Sequence, residues 1–104
     1  MQVEFSKIAK QTLRDNIEFL EKTWSNREVV NFLIDVKKVT ENLESGHFQQ
    51  YQKSVHKTRS ALIGKKHIRM FFRKENDSQI SILLFFDMRQ DPKKITELLK
   101  WINS

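Results

Sequence analysis

From Ile80 to Phe86 the chain reads Ile-Ser-Ile-Leu-Leu-Phe-Phe, and this run constrains the fold more than any other. In a strand, successive side chains point to opposite faces, so a segment apolar at both parities must be covered on both. It is expected as a central strand with a layer of structure above and below. It is far too short for the roughly 20 apolar residues that span a bilayer.

The segments on either side say what the layers are. Val3 to Phe5 is a short strand candidate, and Ser6 is a helix N-cap by residue type. Leu13, Ile17, Leu20 and Trp24 then recur at i, i+4, i+7 and i+11, one apolar stripe of an amphipathic helix. Ser25-Asn26-Arg27-Glu28 is a capping box that starts a second helix, with a stripe of Val29, Leu33, Val36, Val39 or Thr40, and Leu43. Gly46 is its expected C-terminal stop. The connection at Thr23–Ser25 is so short that the helices must fold back as an antiparallel hairpin.

After Gly46 the period changes from helical to alternating. Residues 47–57 look irregular, anchored by Phe48 and Tyr51. Thr58 to Ile63 reads as a strand, Gly64-Lys65-Lys66 as a turn, and His67 to Lys74 as a second strand. In that strand Ile68, Met70 and Phe72 point one way, and His67, Arg69, Phe71 and Arg73 the other. Glu75-Asn76-Asp77-Ser78 is a hairpin turn by composition. Asp91-Pro92 supplies an N-cap and a first-turn proline for a last helix carrying Ile95, Leu98, Leu99 and Ile102. Trp24 is expected in the core, and Trp101 in the core or, alternatively, covered by a partner chain. The order is β-α-α-β-β-β-α: an α+β class, with a helical hairpin packed on a small, mainly antiparallel sheet.

A chain of 104 residues with two Gly and one Pro has room for one domain, residues 1–104, and little irregular loop. It has no cysteine, which excludes disulfides and thiolate metal sites. Its three His are dispersed, without carboxylates at ligand spacing, so no metal site is expected. No Gly-rich phosphate loop or nucleophile elbow is present, and no cofactor is expected. The opening residues Met1-Gln2-Val3-Glu4-Phe5 carry no secretory pattern. The expectation is a soluble, cytoplasmic protein without a membrane partner.

Charge separates at Gln52. Residues 1–52 hold 7 Lys/Arg against 8 Asp/Glu, 7 − 8 = −1; residues 53–104 hold 12 against 5, 12 − 5 = +7; together these give the net +6. From Lys53 to Lys74 the cations Lys53, Lys57, Arg59, Lys65, Lys66, Arg69, Arg73 and Lys74 run with two His and no carboxylate. Such a block repels itself, which points to a polyanion or an acidic partner, against the alternative of a solvated basic face.

The element order, together with Ile68-Arg69-Met70-Phe71-Phe72-Arg73 and the strand running into Asp87-Met88-Arg89-Gln90-Asp91-Pro92, resembles the RelE/ParE superfamily of type II toxin–antitoxin toxins, in its ParE-like branch. The resemblance spans Val3 to Lys94. It implies a toxin held inactive by a cognate antitoxin that wraps its sheet and helices. ParE-like members, where studied, poison DNA gyrase, whereas RelE-like members enter the ribosome and cleave mRNA.

The candidate binding set is Arg59, Lys65, Lys66, His67, Arg69, Phe71, Arg73 and Arg89. Basic groups interleaved with an aromatic suit phosphate contact with base stacking, or an acidic peptide. For Phe71 the competing expectation is burial under the last helix; for Arg89 it is an ion pair with Asp87 or Asp91. RNA cleavage would need an acid, a base and cations on the phosphate, with His67 and Arg73 as candidates. Where the resemblance places His or Tyr in active ribonucleases this chain has Asp87-Met88, and its one tyrosine is Tyr51. That departure favours a non-nuclease toxin. A non-toxic basic binding module on the same fold is the third reading.

Overall fold

The computed structural model describes residues 1–23, 25–64 and 67–103. In chain order the elements are β1 (Gln2–Phe5), α1 (Lys7–Thr23), α2 (Asn26–Glu44), a 3₁₀ turn (Phe48–Gln50), β2 (Gln52–Lys53), β3 (Arg59–Ile63), β4 (Ile68–Asn76), β5 (Gln79–Asp87) and α3 (Pro92–Asn103). The five strands form one mixed sheet in the order β1-β5-β4-β3-β2. β1 runs parallel to β5, and the other pairs are antiparallel. The α+β architecture expected from the sequence is therefore observed, with one extra two-residue strand, β2, inside the segment read as irregular. Lys53 opposite Arg59 and Gln52 opposite Ser60 are its whole pairing, too short for a periodic signal.

The caps are where the sequence puts them. The Ala9 N–H donates to Ser6 Oγ (2.9 Å), and the Glu28 N–H to Ser25 Oγ (3.4 Å). At the end of α2 the Gly46 N–H reaches Leu43 O and the His47 N–H reaches Asn42 O, both at 3.0 Å. This double closure needs a left-handed residue, and Gly46 supplies it at φ +86°. The Lys93 N–H donates to Asp91 Oδ1 at the start of α3 (3.0 Å).

The sheet carries a core on each face. Against the hairpin of α1 and α2 lie Ile63, Ile68, Met70, Phe72, Ile80, Ile82 and Phe85, with Leu20, Phe32, Val36 and Leu43 from the helices. Against α3 lie Phe71, Leu83, Leu84 and Phe86, with Ile95 and Leu99. β5 contributes to both, as its two-sided apolar pattern requires. In α2 the buried stripe is Val29, Phe32, Val36, Val39 and Leu43; Leu33, expected inside, is 41% exposed, and Phe32 takes its place. Trp24 lies outside the described residues. Trp101 is 68% exposed rather than in the core, because it sits beside the Ile95–Leu99–Ile102 stripe, not on it.

A bulge divides β5. The register passes from Phe71 opposite Leu84 to Phe72 opposite Ile82, leaving Leu83 without a partner on β4. Leu83 and Leu84 thus both reach the α3 side, while Ile82 and Phe85 both reach the hairpin side. β1 ends opposite Ile82, so beyond that point the edge of β5 meets α1 instead. Hydroxyls complete it: Ser6 Oγ donates to Leu83 O (2.9 Å), and the Phe85 N–H donates to Thr12 Oγ1 (3.0 Å). Thr12 in turn donates to Ile8 O (2.7 Å).

Replacing Thr12 by Val keeps the shape but leaves the Phe85 N–H without its acceptor. The expected cost is about 1–3 kcal/mol of unfolding free energy, read by denaturant titration, with Thr12→Ser close to wild type. A Thr12→Val protein as stable as the wild type would remove this hydroxyl from the account of β5.

Candidate functional site

The sheet separates the candidate cations by face. Arg59 stands opposite Phe72 and shares the hairpin side with Ala61 and Ile63. Its guanidinium lies 5.1 Å from the centre of the Phe48 ring and donates from Nη1 to Tyr51 O (2.8 Å) and Gln49 O (3.2 Å). Phe48 and Tyr51 both meet Phe72 edge-on, at 5.9 and 5.3 Å between ring centres. Arg59 is therefore a clamp holding the 3₁₀ turn onto the core. It cannot extend a patch built on β4, because it points to the opposite side of the sheet.

Arg69, Phe71 and Arg73 do share a face, the one packed by α3, but they have different fates. Phe71 is 3% exposed, enclosed with Leu84, Phe86 and Leu99. Burial under the last helix is thus the correct expectation, and no ring is available there for stacking. Arg69 and Arg73 are half-buried. Arg69 Nη1 donates to Ser60 Oγ across the β3–β4 pair (3.2 Å), and Arg73 pairs with Glu75 on its own strand (2.9 Å). Leu62, opposite Arg69, is 54% exposed. Beside α3 the open part of this face is thus Leu62, Arg69 and Arg73.

His67 does not belong to the strand. β4 begins at Ile68, and His67 precedes it in a left-handed conformation at φ 71°. Its carbonyl accepts from the Met88 N–H (2.7 Å), which pins the β3–β4 connection to the end of β5. Six residues at about 3.3 Å each put His67 and Arg73 about 20 Å apart, too far to act on one phosphate. Lys65 and Lys66 lie outside the described residues.

Arg89 is engaged by Asp87 rather than Asp91. Nε approaches Oδ1 at 3.0 Å and Nη2 approaches Oδ2 at 2.7 Å, and the Arg89 N–H also donates to Oδ1 (2.9 Å). These bonds, the Arg89 side chain foremost, hold the Asp87 carboxyl below its ordinary range, with partial burial opposing and the charges of Arg89 and His67 assisting. The same pair raises Arg89 above its usual value, the hydrogen bond to Asp87 leading.

One feature escaped the sequence. Asn16 and Phe19 on α1, Phe86 and Asp87 on β5, and Lys94 and Leu98 on α3 line a groove of about 430 Å³. Phe19 is 49% exposed there. The available signal was Thr12-Asn16-Phe19, a second helical stripe beside Leu13-Ile17-Leu20. Among the described residues no group of three His, Asp or Glu is placed to hold a metal ion, and no helix is long and apolar enough to cross a membrane.

With this geometry in place, the fold finds its likeness. A solved chain of the chromosomal ParDE TA system from P. aeruginosa superposes with a TM-score of 0.68 over 84% of this chain and 95% of that one, at 15% identity. The protein has a ParE/RelE-like fold. No protein-family model matches the chain, and no curated protein matches it by sequence.

Three substitutions test the assignments. Arg59→Met keeps the stem but loses both carbonyl bonds, and should cost about 1–3 kcal/mol in a thermal or denaturant melt; Arg73→Met, which breaks only a surface pair, should cost no more than about 1 kcal/mol. Asp87 has a depressed carboxyl, so its contribution is present above the ordinary carboxylate pKa of about 3.9 and is lost as pH falls through the lower folded value. The stability gap between wild type and Asp87→Asn should then be constant from pH 7 to about 5 and close below pH 4; a gap that widens with acid would contradict the pairing.

Proposed function

We propose that this chain is the toxin of a type II toxin–antitoxin system, ParE-like, acting in the cytoplasm by binding a macromolecular target and neutralised by a cognate antitoxin. The fold likeness to a ParDE chain, over 84% of this chain and 95% of that one, carries the proposal. The basic C-terminal half supports it, since its +7 suits an acidic target surface. Leu62, Arg69 and Arg73 are the contact residues: an exposed leucine beside Arg69, with Arg73 further along the same face of β4, fits an acidic protein surface better than a bare phosphate chain. DNA gyrase is the target that the sequence resemblance implies.

The ribosome-dependent nuclease reading is weaker. It needs His67 and Arg73 at one phosphate, although six residues and about 20 Å separate them, and Tyr51 is committed to Phe72 and to accepting from Asn42 Nδ2 (3.1 Å). Expression in a bacterial host without antitoxin should arrest growth while transcripts stay intact. Arg69→Glu combined with Arg73→Glu should abolish the arrest with the protein still folded. Harmless accumulation of folded wild-type protein would overturn the proposal, and cleaved mRNA would replace it with the nuclease reading.

A further inference from the structure

The outer side of α2 carries apolar groups that the hairpin does not use. Val30 is 53% exposed, Leu33 41% and Ile34 44%, whereas Val29, Phe32, Val36, Val39 and Leu43 fill the inner stripe. At about 100° per residue, Arg27, Val30, Ile34, Lys37 and Glu41 fall within an arc of about 80°, with Leu33 on its flank toward the core. Their spacing of 3, 4, 3 and 4 residues is the seam by which two helices pack lengthwise.

We propose that this seam is a self-association surface, with two copies of the chain pairing α2 against α2, antiparallel about Ile34. A two-fold axis there sets Ile34 on its counterpart and Val30 on the aliphatic stems of Lys37 and Lys38 from the second copy. It also sets Arg27 against Glu41 at both ends, giving two symmetric ion pairs. Among the described residues Arg27 makes no ion pair within its own chain, and Glu41 has only a 3.9 Å contact to Lys37 on an exposed surface.

The charge distribution selects the same side. Each copy carries +6, made of 12 − 5 = +7 in residues 53–104 and 7 − 8 = −1 in residues 1–52. Two copies approaching hairpin to hairpin keep their basic halves apart; an approach through the sheet would bring them together. A second copy thus satisfies the seam's polarity with residues already present in the chain.

One helix pair buries less than the roughly 1,200–2,000 Å² of a standard stable interface, so the dimer is weak and concentration-dependent. Sedimentation velocity should show mass rising from 12.5 kDa toward twice that value as concentration increases from about 10 µM to about 1 mM. Ile34→Asp should remain a monomer throughout, with an unchanged melting curve because the side chain is already half in water. Arg27→Glu alone and Glu41→Arg alone should each weaken association at least tenfold, because each sets like charges against one another at both ends of the seam. An equimolar mixture of those two variants should associate again, since opposite charges then meet at both ends of the mixed pair. A wild type that stays monomeric to 1 mM overturns the proposal, as does a mixture no better than its components. Neither result bears on toxicity.

Discussion

At Leu83 the backbone of β5 loses its neighbour, because β1 has turned into α1, and two hydroxyls take over where a strand would have been. Ser6 caps the first turn of α1 and holds Leu83 O; Thr12, six residues later, accepts the Phe85 N–H. A buried amide without a partner costs as much as a good core contact contributes, so these bonds fix where α1 lies along the sheet. Leu83, bulged out of register, lets one strand feed both cores. The hairpin on one face and α3 on the other are therefore placed by the same strand.

That arrangement decides which cations are surface and which are scaffold. A strand sends alternate residues to opposite sides, so neighbouring strands in fixed register distribute a basic block over two faces. Arg59 goes to the hairpin side and becomes a clamp on the 3₁₀ turn. Arg69 and Arg73 go to the α3 side, where the helix covers Phe71 and stops short of them. Arg89 is retained by Asp87 at the end of β5. The basic half of the sequence thus resolves into a small open area around Leu62, Arg69 and Arg73, and not a continuous wall of charge.

Most of the architecture was legible before any coordinates. Ser6, Ser25, Gly46 and Asp91 mark helix ends because capping is local chemistry, settled within a few residues. The alternation in β4 and the double-sided run in β5 are equally local. What escaped did so for identifiable reasons. β2 is two residues long, below any periodic signal. Leu33 and Phe32 are adjacent, and it is Phe32 that completes the 3-4-3-4 spacing of Val29, Val36, Val39 and Leu43. His67 looked like the first residue of a strand, yet its own backbone is left-handed and β4 begins only at Ile68.

Patterning by itself determined that this chain must be an α+β domain with one strand covered on both sides, because alternation and helical period leave no other way to bury those residues. It also determined that the charge lies in the second half. Tertiary structure alone decided which arginines reach an open surface, because that depends on strand register, on a one-residue bulge, and on how far a twelve-residue helix extends across the sheet. Pairing across strands is a property of contacts distant in the chain, and no local pattern encodes it.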